Sequence, residues 1–159
     1  MEHNVPEMVI LRGIPGSGKS HWVMDNNPDP FRSGKKKKST ICSADHYFIK
    51  DNVYTYNRAE SGESHKACLL SAISAINDRR DVIIDNTNIN VEDIAPYYAL
   101  ATAYDYRVKI VTVVTTDPVA CWKRNKHGVP LASIIGMYQA MMRNGLPFRW
   151  VHEMVPAEF

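Results

Sequence analysis

Eight consecutive residues near the start of the chain have the composition of a phosphate-binding loop. Residues 13–20 read GIPGSGKS, the pattern G-x-x-x-x-G-K-S, and follow the apolar run Met8–Leu11 directly. Glycines at this spacing let backbone N–H groups face a phosphate chain, and the helix expected next adds partial positive charge. Lys19 can then reach the β- and γ-phosphates of ATP, and the Ser20 hydroxyl can ligate Mg²⁺. The predicted nucleotide contacts are Gly13, Pro15, Gly16, Ser17, Gly18, Lys19 and Ser20.

A carboxylate follows the short apolar segment Thr40–Cys42, in the sequence Ser-Ala-Asp-His-Tyr-Phe. Phosphoryl transfer to a hydroxyl needs a group that orients the nucleophile and accepts its proton, and Asp45 is the candidate. Asp is also favoured as a helix N-cap, so spacing alone leaves both roles open.

A second carboxylate, Asp85, ends the apolar run Val82–Ile84 and begins the sequence Asp-Asn-Thr-Asn. An Asp at the end of a buried strand resembles a Walker B carboxylate, which holds Mg²⁺ directly or through water. Thr87 and Asn88 are short and polar, and are candidates to bind the phosphate or sugar of a substrate. The alternative is a turn made by Asp and Asn.

A basic segment, Lys123–Pro130, lies between two predicted helices. Gly128 and Pro130 mark it as a short mobile loop, and in kinases such a loop closes over the phosphates and offsets developing charge. Arg124 and Lys126 are the predicted phosphate contacts, with a basic surface loop as the alternative. The only charge run, Lys35–Lys38, is interpreted either as a solvated loop or as a surface that steers a polynucleotide.

Apolar runs alternate with helical patterns along the chain, which predicts a parallel sheet with helices on both faces. In such a sheet ligands bind at the carboxyl ends of the strands. The GIPGSGKS loop, the Asp45 segment and the Asp85 segment all fall there. The predicted strands are Val5–Arg12, Thr40–Cys42, Val82–Ile84, a central Val108–Val114 and an edge strand Trp150–Val155. The predicted helices are Ser17–Asn26, Ala59–Arg79, Val91–Tyr104 with Asn90 as its N-cap, Pro118–Lys126 and Ala132–Arg143, and residues 27–38 are predicted as a surface loop.

Bulk composition predicts an ordinary globular protein with one domain over residues 1–159. The net charge of +2 provides no global basic field, so any polyanion site must come from local clustering. The scattered cysteines Cys42, Cys68 and Cys121 form no C-x-x-C pair, which favours reduced cytoplasmic thiols over zinc or disulfides. The polar N-terminus predicts no signal peptide, and no apolar run is long enough for a membrane span.

Taken together, the motifs resemble the kinase domain of phage-type polynucleotide 5′-hydroxyl kinases. The resemblance rests on GIPGSGKS, the Asp45–Tyr47 element, VIIDNTN, and KRN followed by VP, MY and LP, and it runs in order from about residue 8 to residue 148. It implies a three-layer P-loop NTPase fold of the nucleoside-monophosphate-kinase type, with a mostly parallel central sheet and a short basic lid. The AAA and zeta-toxin-like kinases share this general group.

By this resemblance Lys19 and Ser20 match the P-loop pair, Asp45 matches the general base, and Arg124 matches a lid arginine on the ATP phosphates. Two positions depart from the pattern. The arginine expected three residues after the base is Phe48, which cannot bind phosphate but could stack on a base. The second lid arginine has no counterpart, and Lys126 and His127, the candidates to replace it, lack the guanidinium fork.

The sequence therefore predicts a cytoplasmic, ATP- and Mg²⁺-dependent kinase whose acceptor is the 5′-hydroxyl of DNA or RNA. A nucleoside, nucleotide or sugar acceptor is the alternative, favoured by Phe48 and by the near-neutral net charge. A nucleotide-binding module without transfer activity is the third hypothesis. Because the chain ends at Phe159, we expect no attached phosphatase domain. Neither the oligomeric state nor the choice between ATP and GTP follows from these motifs.

Overall fold

A computed structural model describes residues 5–27 and 38–157 of the protein. Its main sheet has the order β2-β5-β1-β6-β7, and every neighbouring pair is parallel. The strands are β1 (Glu7–Arg12), β2 (Thr40–Cys42), β5 (Val82–Asp85), β6 (Arg107–Val114) and β7 (His152–Pro156), with a separate antiparallel pair β3 (Ile49–Lys50) and β4 (Val53–Tyr54). This confirms the predicted α/β fold with a parallel central sheet.

Alternate residues of β1 face opposite sides of the sheet because side chains alternate along a strand. Met8 and Ile10 join the larger apolar cluster, whereas Val9 and Leu11 join a second cluster. Both faces of this central strand are buried, so its sequence reads as a continuous apolar run.

Five helices in the described residues flank the sheet and its carboxyl edge: α1 (Lys19–Asn26), α2 (Ser61–Asn77), α3 (Val91–Ala103), α4 (Pro118–Arg124) and α5 (Leu131–Arg143). Helices α2 and α3 cover the Met8 face, and α1 covers the Val9 face through Val23. Helices α4 and α5 pack beside the first loop through a third cluster that contains Ile14, Cys121 and Ile134. The predicted layered arrangement is therefore present.

Most predicted elements are confirmed with small shifts at their ends. Helix α1 starts at Lys19 rather than Ser17, because Gly18 has a φ of 102° and ends the loop in the left-handed region. Asn90 caps α3, as predicted, and forms a capping box with Asp93. Strand β6 is paired on both sides, and β7 is the edge strand, beginning at His152.

The hairpin β3–β4 is a feature that sequence analysis did not predict. Asp51 and Asn52 connect its strands with φ values of 51° and 63°, the two positive angles of a type I′ turn. A 3-10 helix, Ala44–Phe48, leads from β2 into this hairpin, and a second one, Arg58–Glu60, precedes α2. Residues 28–37, including most of the lysine run, lie outside the described residues.

Among residues 5–27 and 38–157, no helix combines the length and apolar character needed to cross a bilayer.

Candidate active site

The GIPGSGKS loop connects β1 to α1 at the carboxyl edge of the sheet. The Gly13 N–H donates to the Thr87 carbonyl at 2.9 Å, which ties the loop to the segment after β5. Gly16 has a φ of 77°, and a Cβ at this position would lie 2.0 Å from the Cys121 carbonyl oxygen of α4. Glycine is therefore required at residue 16 by both backbone conformation and packing.

Lys19 extends back over the loop from the first turn of α1. Its Nζ donates to the carbonyls of Gly13 at 2.9 Å and Ile14 at 3.1 Å. Burial lowers the pKa of Lys19, and the carboxylates of Asp85 and Asp45 oppose this shift. The ammonium group is thus held against the loop backbone, within the electrostatic influence of two carboxylates.

Two hydroxyls of the same loop differ in exposure. The Ser17 side chain is fully buried, and its Oγ has no hydrogen-bond partner in the described residues. Ser20, in the first turn of α1, is exposed. Ser20 is therefore the hydroxyl that is accessible to a ligand.

Asp85 is the last residue of β5 and lies beside Leu11 of β1 in the register of the sheet. Burial raises the pKa of the Asp85 carboxyl, and the nearby Asp45 carboxylate raises it further. Lys19 gives the largest opposing effect. The structure thus brings Asp85 into the electrostatic surroundings of the loop lysine, as its predicted role requires.

Asp45 lies in the 3-10 helix after β2, and it is not the helix cap. Ser43 is the N-cap residue, and its Oγ accepts from the Asp45 N–H at 3.2 Å. The Asp45 side chain instead accepts a hydrogen bond on Oδ1 from the Tyr54 hydroxyl at 3.0 Å. Its Oδ2 lies 3.7 Å from Nε2 of His127. The N-cap alternative is therefore wrong, and the carboxylate remains available for chemistry.

The basic segment Lys123–Pro130, which begins in the last turn of α4, contacts both the GIPGSGKS loop and Asp45. The Arg124 Nη2 donates to the Gly16 carbonyl at 3.0 Å, so this arginine contacts the phosphate-binding loop. Lys126 is exposed, and His127 lies against Asp45 rather than against the loop. Arg124 therefore contacts the loop that is predicted to bind phosphate, whereas His127 faces Asp45.

Two residues predicted to bind substrate are buried. Asn88 is 3% exposed, and its Nδ2 donates to the Leu11 carbonyl at 2.6 Å. Phe48 is 5% exposed and contacts the rings of Tyr47, Tyr54 and Tyr56. Both side chains are therefore packed inside the protein, and neither is presented to a ligand. Thr87 is partly exposed beside the loop.

Sequence reasoning missed two contributors to the site. Tyr54 is brought to Asp45 by the hairpin, and no local pattern marked it. Asn86 is buried, and its Oδ1 accepts from the Ala44 N–H at 2.8 Å while its Nδ2 donates to Cys68 Sγ at 3.4 Å. This asparagine therefore fixes the segment that carries Asp45 to the segment that carries Asp85.

The donor set fits a magnesium ion bound together with nucleotide phosphates. Within the described ranges, no three His, Cys, Asp or Glu side chains gather into a metal cluster. Magnesium does not require such a cluster, because it is commonly held by one or two carboxylates, substrate phosphates and water. The exposed Ser20 hydroxyl and the Asp85 carboxylate are the oxygen groups of the loop and of β5 that would hold such an ion.

Comparisons with known proteins show which family this chain is similar to. A protein family described as AAA domain matches residues 8–127. NEDD4-binding protein 2 of Homo sapiens is 31% identical over 148 residues, which cover 86% of this chain and 8% of that protein. A protein of Acanthamoeba polyphaga mimivirus, assigned as a bifunctional polynucleotide phosphatase/kinase, is 27% identical over 115 residues, covering 72% of this chain and 22% of that protein. The chain thus spans only a minor part of these relatives.

Among solved structures, a chain of the Pnkp1/Rnl/Hen1 RNA repair complex superposes with a TM-score of 0.66 at 19% identity. The match covers 89% of this chain and 45% of that chain. At this identity the likeness establishes the fold alone.

Proposed function

The chain belongs to the AAA domain family of P-loop kinases, and from this premise we propose that it transfers the γ-phosphoryl group of ATP to a hydroxyl. The proposed acceptor is the 5′-hydroxyl of DNA or RNA. The observation that carries the proposal is that Asp45, Asp85 and Lys19 follow or end the three neighbouring parallel strands β2, β5 and β1, which places them at the same carboxyl edge of the sheet.

The donor half of the site consists of the loop, Lys19 and Arg124. Backbone N–H groups of residues 13–20 surround the phosphates of ATP, and Lys19 neutralises charge on the β- and γ-phosphates. Arg124 already contacts the loop at Gly16, so its guanidinium can stabilise the negative charge that develops on the transferred group. When bound, Mg²⁺ supplies further charge neutralisation, with Ser20 and Asp85 as its protein ligands.

The acceptor half centres on Asp45. Asp45 accepts a hydrogen bond from the acceptor hydroxyl and then takes its proton. The acceptor oxygen forms a bond to the γ-phosphorus while the bond from that phosphorus to the β–γ bridging oxygen breaks, and ADP leaves. The described geometry contributes mainly by positioning and by electrostatic stabilisation of the spread negative charge.

The choice of a polynucleotide acceptor is supported by motif order and by the relative assigned as a polynucleotide phosphatase/kinase. We further propose that residues 1–159 act as one domain in the cytoplasm, where the buried free thiols of Cys42, Cys68 and Cys121 would stay reduced.

The test is transfer of label from γ-labelled ATP in the presence of Mg²⁺. The panel pairs 5′-hydroxyl DNA and RNA oligonucleotides with matched 5′-phosphorylated ones, and adds nucleosides, nucleotides and sugars. We expect label at the 5′ end of the hydroxyl oligonucleotides only, and its loss in Asp45→Asn. Nucleotide binding without transfer to any acceptor would instead support a binding module.

A small-molecule acceptor is the second candidate, and the environment of Phe48 favours it. This residue occupies the position where phage-type kinases have an arginine for the acceptor strand, and its ring is buried in an aromatic cluster. Salt titration separates the two candidates, since affinity for a polynucleotide falls steeply with salt whereas affinity for an uncharged acceptor does not.

A further inference from the structure

Asp45 is contacted on each of its two carboxylate oxygens by a ring from a different part of the chain. The Tyr54 hydroxyl of β4 lies 3.0 Å from Oδ1. His127 belongs to the basic segment Lys123–Pro130, called the lid from here on, and its Nε2 lies 3.7 Å from Oδ2. The Tyr54 and His127 rings also contact each other, with their centroids 4.7 Å apart. These three side chains form one cluster, although 82 positions separate its first and last members.

We propose that Tyr54 and His127 are positioning residues that hold the Asp45 carboxylate for the acceptor hydroxyl, and that the lid therefore acts on the acceptor half of the site as well as on the phosphates. This inference rests on the proposed kinase function. It assigns the lid histidine a role other than that of a replacement for a phosphate-binding arginine.

Contacts of the β3–β4 hairpin fix the position of the Tyr54 side chain. Tyr54 pairs with Ile49 across the ladder, and the Thr55 N–H donates to the Phe48 carbonyl at 3.0 Å. Phe48 is buried beneath the hairpin and contacts the Tyr54 ring edge-on, with centroids 6.3 Å apart. Because Phe48 belongs to the same 3-10 helix as Asp45, the phenol and the carboxylate are held on one rigid unit.

The lid is equally ordered around His127. Asn125 accepts from the His127 N–H at 3.0 Å and donates through Nδ2 to the Val129 carbonyl at 3.0 Å. Gly128, with a φ of 67°, allows the chain to turn between these two bonds. One asparagine thus closes the loop so that His127 faces Asp45 while Arg124, three residues earlier, faces Gly16.

The electrostatic surroundings suit this role. Burial raises the pKa of Tyr54, and the Asp45 carboxylate raises it further, so Tyr54 stays a neutral hydrogen-bond donor at working pH. Lys19, Asp85 and His46 are further titratable groups whose charges act in this region. A carboxylate that accepts a hydrogen bond from the Tyr54 hydroxyl on Oδ1 keeps lone pairs on Oδ2, on the side of His127, where an acceptor hydroxyl would be enclosed.

The kinetic test uses Tyr54→Phe, which removes only the hydroxyl, and His127→Gln. We expect each to lower kcat by about tenfold, as for the loss of a charge-assisted contact, with the KM for ATP within about twofold of the original. Tyr104→Phe and His65→Gln are the matched controls, because both residues are exposed; Tyr104 is the C-cap of α3, and His65 lies in the second turn of α2. His127→Phe, which keeps a ring against Tyr54, should be as slow as His127→Gln.

Combination with Asp45→Asn separates positioning from general structural damage. If Tyr54 and His127 act through Asp45, their substitutions should have little further effect in the Asp45→Asn background. Additive losses would overturn the proposal. A raised KM for ATP with unchanged kcat in His127→Gln would also overturn it, because it would assign the histidine to the phosphates.

A second readout does not depend on activity. The ring nitrogens of His127 can be followed by NMR, and with six histidines in the chain the His127→Gln spectrum identifies its signals. We expect these signals to shift in Asp45→Asn and in Tyr54→Phe, while those of His65 do not move. Unchanged His127 signals in both variants would overturn the proposal, even if no acceptor is ever phosphorylated. Shifted signals without transfer activity would count against the kinase function alone.

Discussion

The donor and acceptor halves of the site are held in different ways. The donor half depends on backbone: glycines with positive φ, the Gly13 N–H on the Thr87 carbonyl, and the close approach of Gly16 to α4. The acceptor half depends on side chains, since Asp45 is held by Tyr54 and His127 at positions where the carboxylate and the imidazole are 47% and 45% exposed.

The difference indicates which residues of the site can be substituted without disturbing the fold. A backbone cradle tolerates few substitutions, because each glycine is required by conformation or by packing. Side chains on a short hairpin and a lid can change without disturbing the sheet. We therefore infer that the phosphate donor is set by the backbone geometry of the loop, whereas acceptor choice is set by the elements around Asp45.

The largest expected effect tests the acceptor half. Asp45→Asn removes the proton acceptor but keeps the shape of the side chain, so turnover should fall by about 10²- to 10⁴-fold. Binding of a non-hydrolysable ATP analogue, measured by calorimetry, should stay within about twofold of the original, because the donor half is untouched. Asp51→Asn in the hairpin turn is the control and should keep full activity. Near-normal turnover in Asp45→Asn would end the assignment of this residue as the base.

The donor half is tested by Lys19→Ala. Loss of the ammonium group removes charge stabilisation of the phosphates, so both ATP affinity and kcat should weaken, with kcat lower by about 10²- to 10³-fold. The measurement is analogue binding together with steady-state kinetics, and the exposed Lys66→Ala on α2 is the control. A Lys19→Ala variant with lowered kcat and unchanged nucleotide affinity would contradict the assignment of Lys19 to phosphate binding in the donor half.

Gly16→Ala tests whether the cradle is fixed by backbone. A Cβ there would lie 2.0 Å from the Cys121 carbonyl oxygen, and φ is 77°. We expect a loss of about 1–3 kcal/mol in the free energy of unfolding, followed by urea denaturation, together with weaker nucleotide binding. Gly136→Ala is the matched control: it lies within α5 with nothing within 4 Å of its added Cβ, so it should stabilise the protein by about 0.5–1 kcal/mol. Equal effects of the two substitutions on the free energy of unfolding would contradict the requirement for glycine at residue 16.

The smallest effect concerns Asp85, which lies between the two halves. Its pKa is raised in the folded protein, chiefly by burial, so its contribution to stability is greatest below the ordinary carboxyl pKa and is lost as pH rises through the folded value. Asp85→Asn should therefore stabilise the nucleotide-free protein at neutral pH by up to about 1 kcal/mol, while lowering kinase activity.

Thermal melts from pH 4 to pH 8 measure this effect. The stability difference between Asp85→Asn and the original chain should grow as pH rises, whereas the difference for Asp51→Asn should stay nearly constant. A difference for Asp85→Asn that shrinks with rising pH would contradict the sign of the pKa shift.

Much of the donor half could be predicted from sequence because its parts are local. Residues 13–20 carry their own turn chemistry, and the apolar runs around Val9 and Ile83 mark the buried parallel strands that position Lys19 and Asp85. The role of Asp45 was open between a helix cap and a base, because a short polar side chain after a strand fits both; only the position of Ser43 at the cap excluded the first.

What the sequence alone determined is the succession of the main-sheet strands and the helices along the chain, the phosphate-binding loop and the edge of the sheet where the motifs meet. These follow from periodicity and from the backbone freedom of glycine, which act over a few residues. Tertiary structure decided that Tyr54 and His127 meet at Asp45 and that Phe48 and Asn88 are buried. Such contacts join segments far apart in the chain, and their burial depends on packing that no local pattern records.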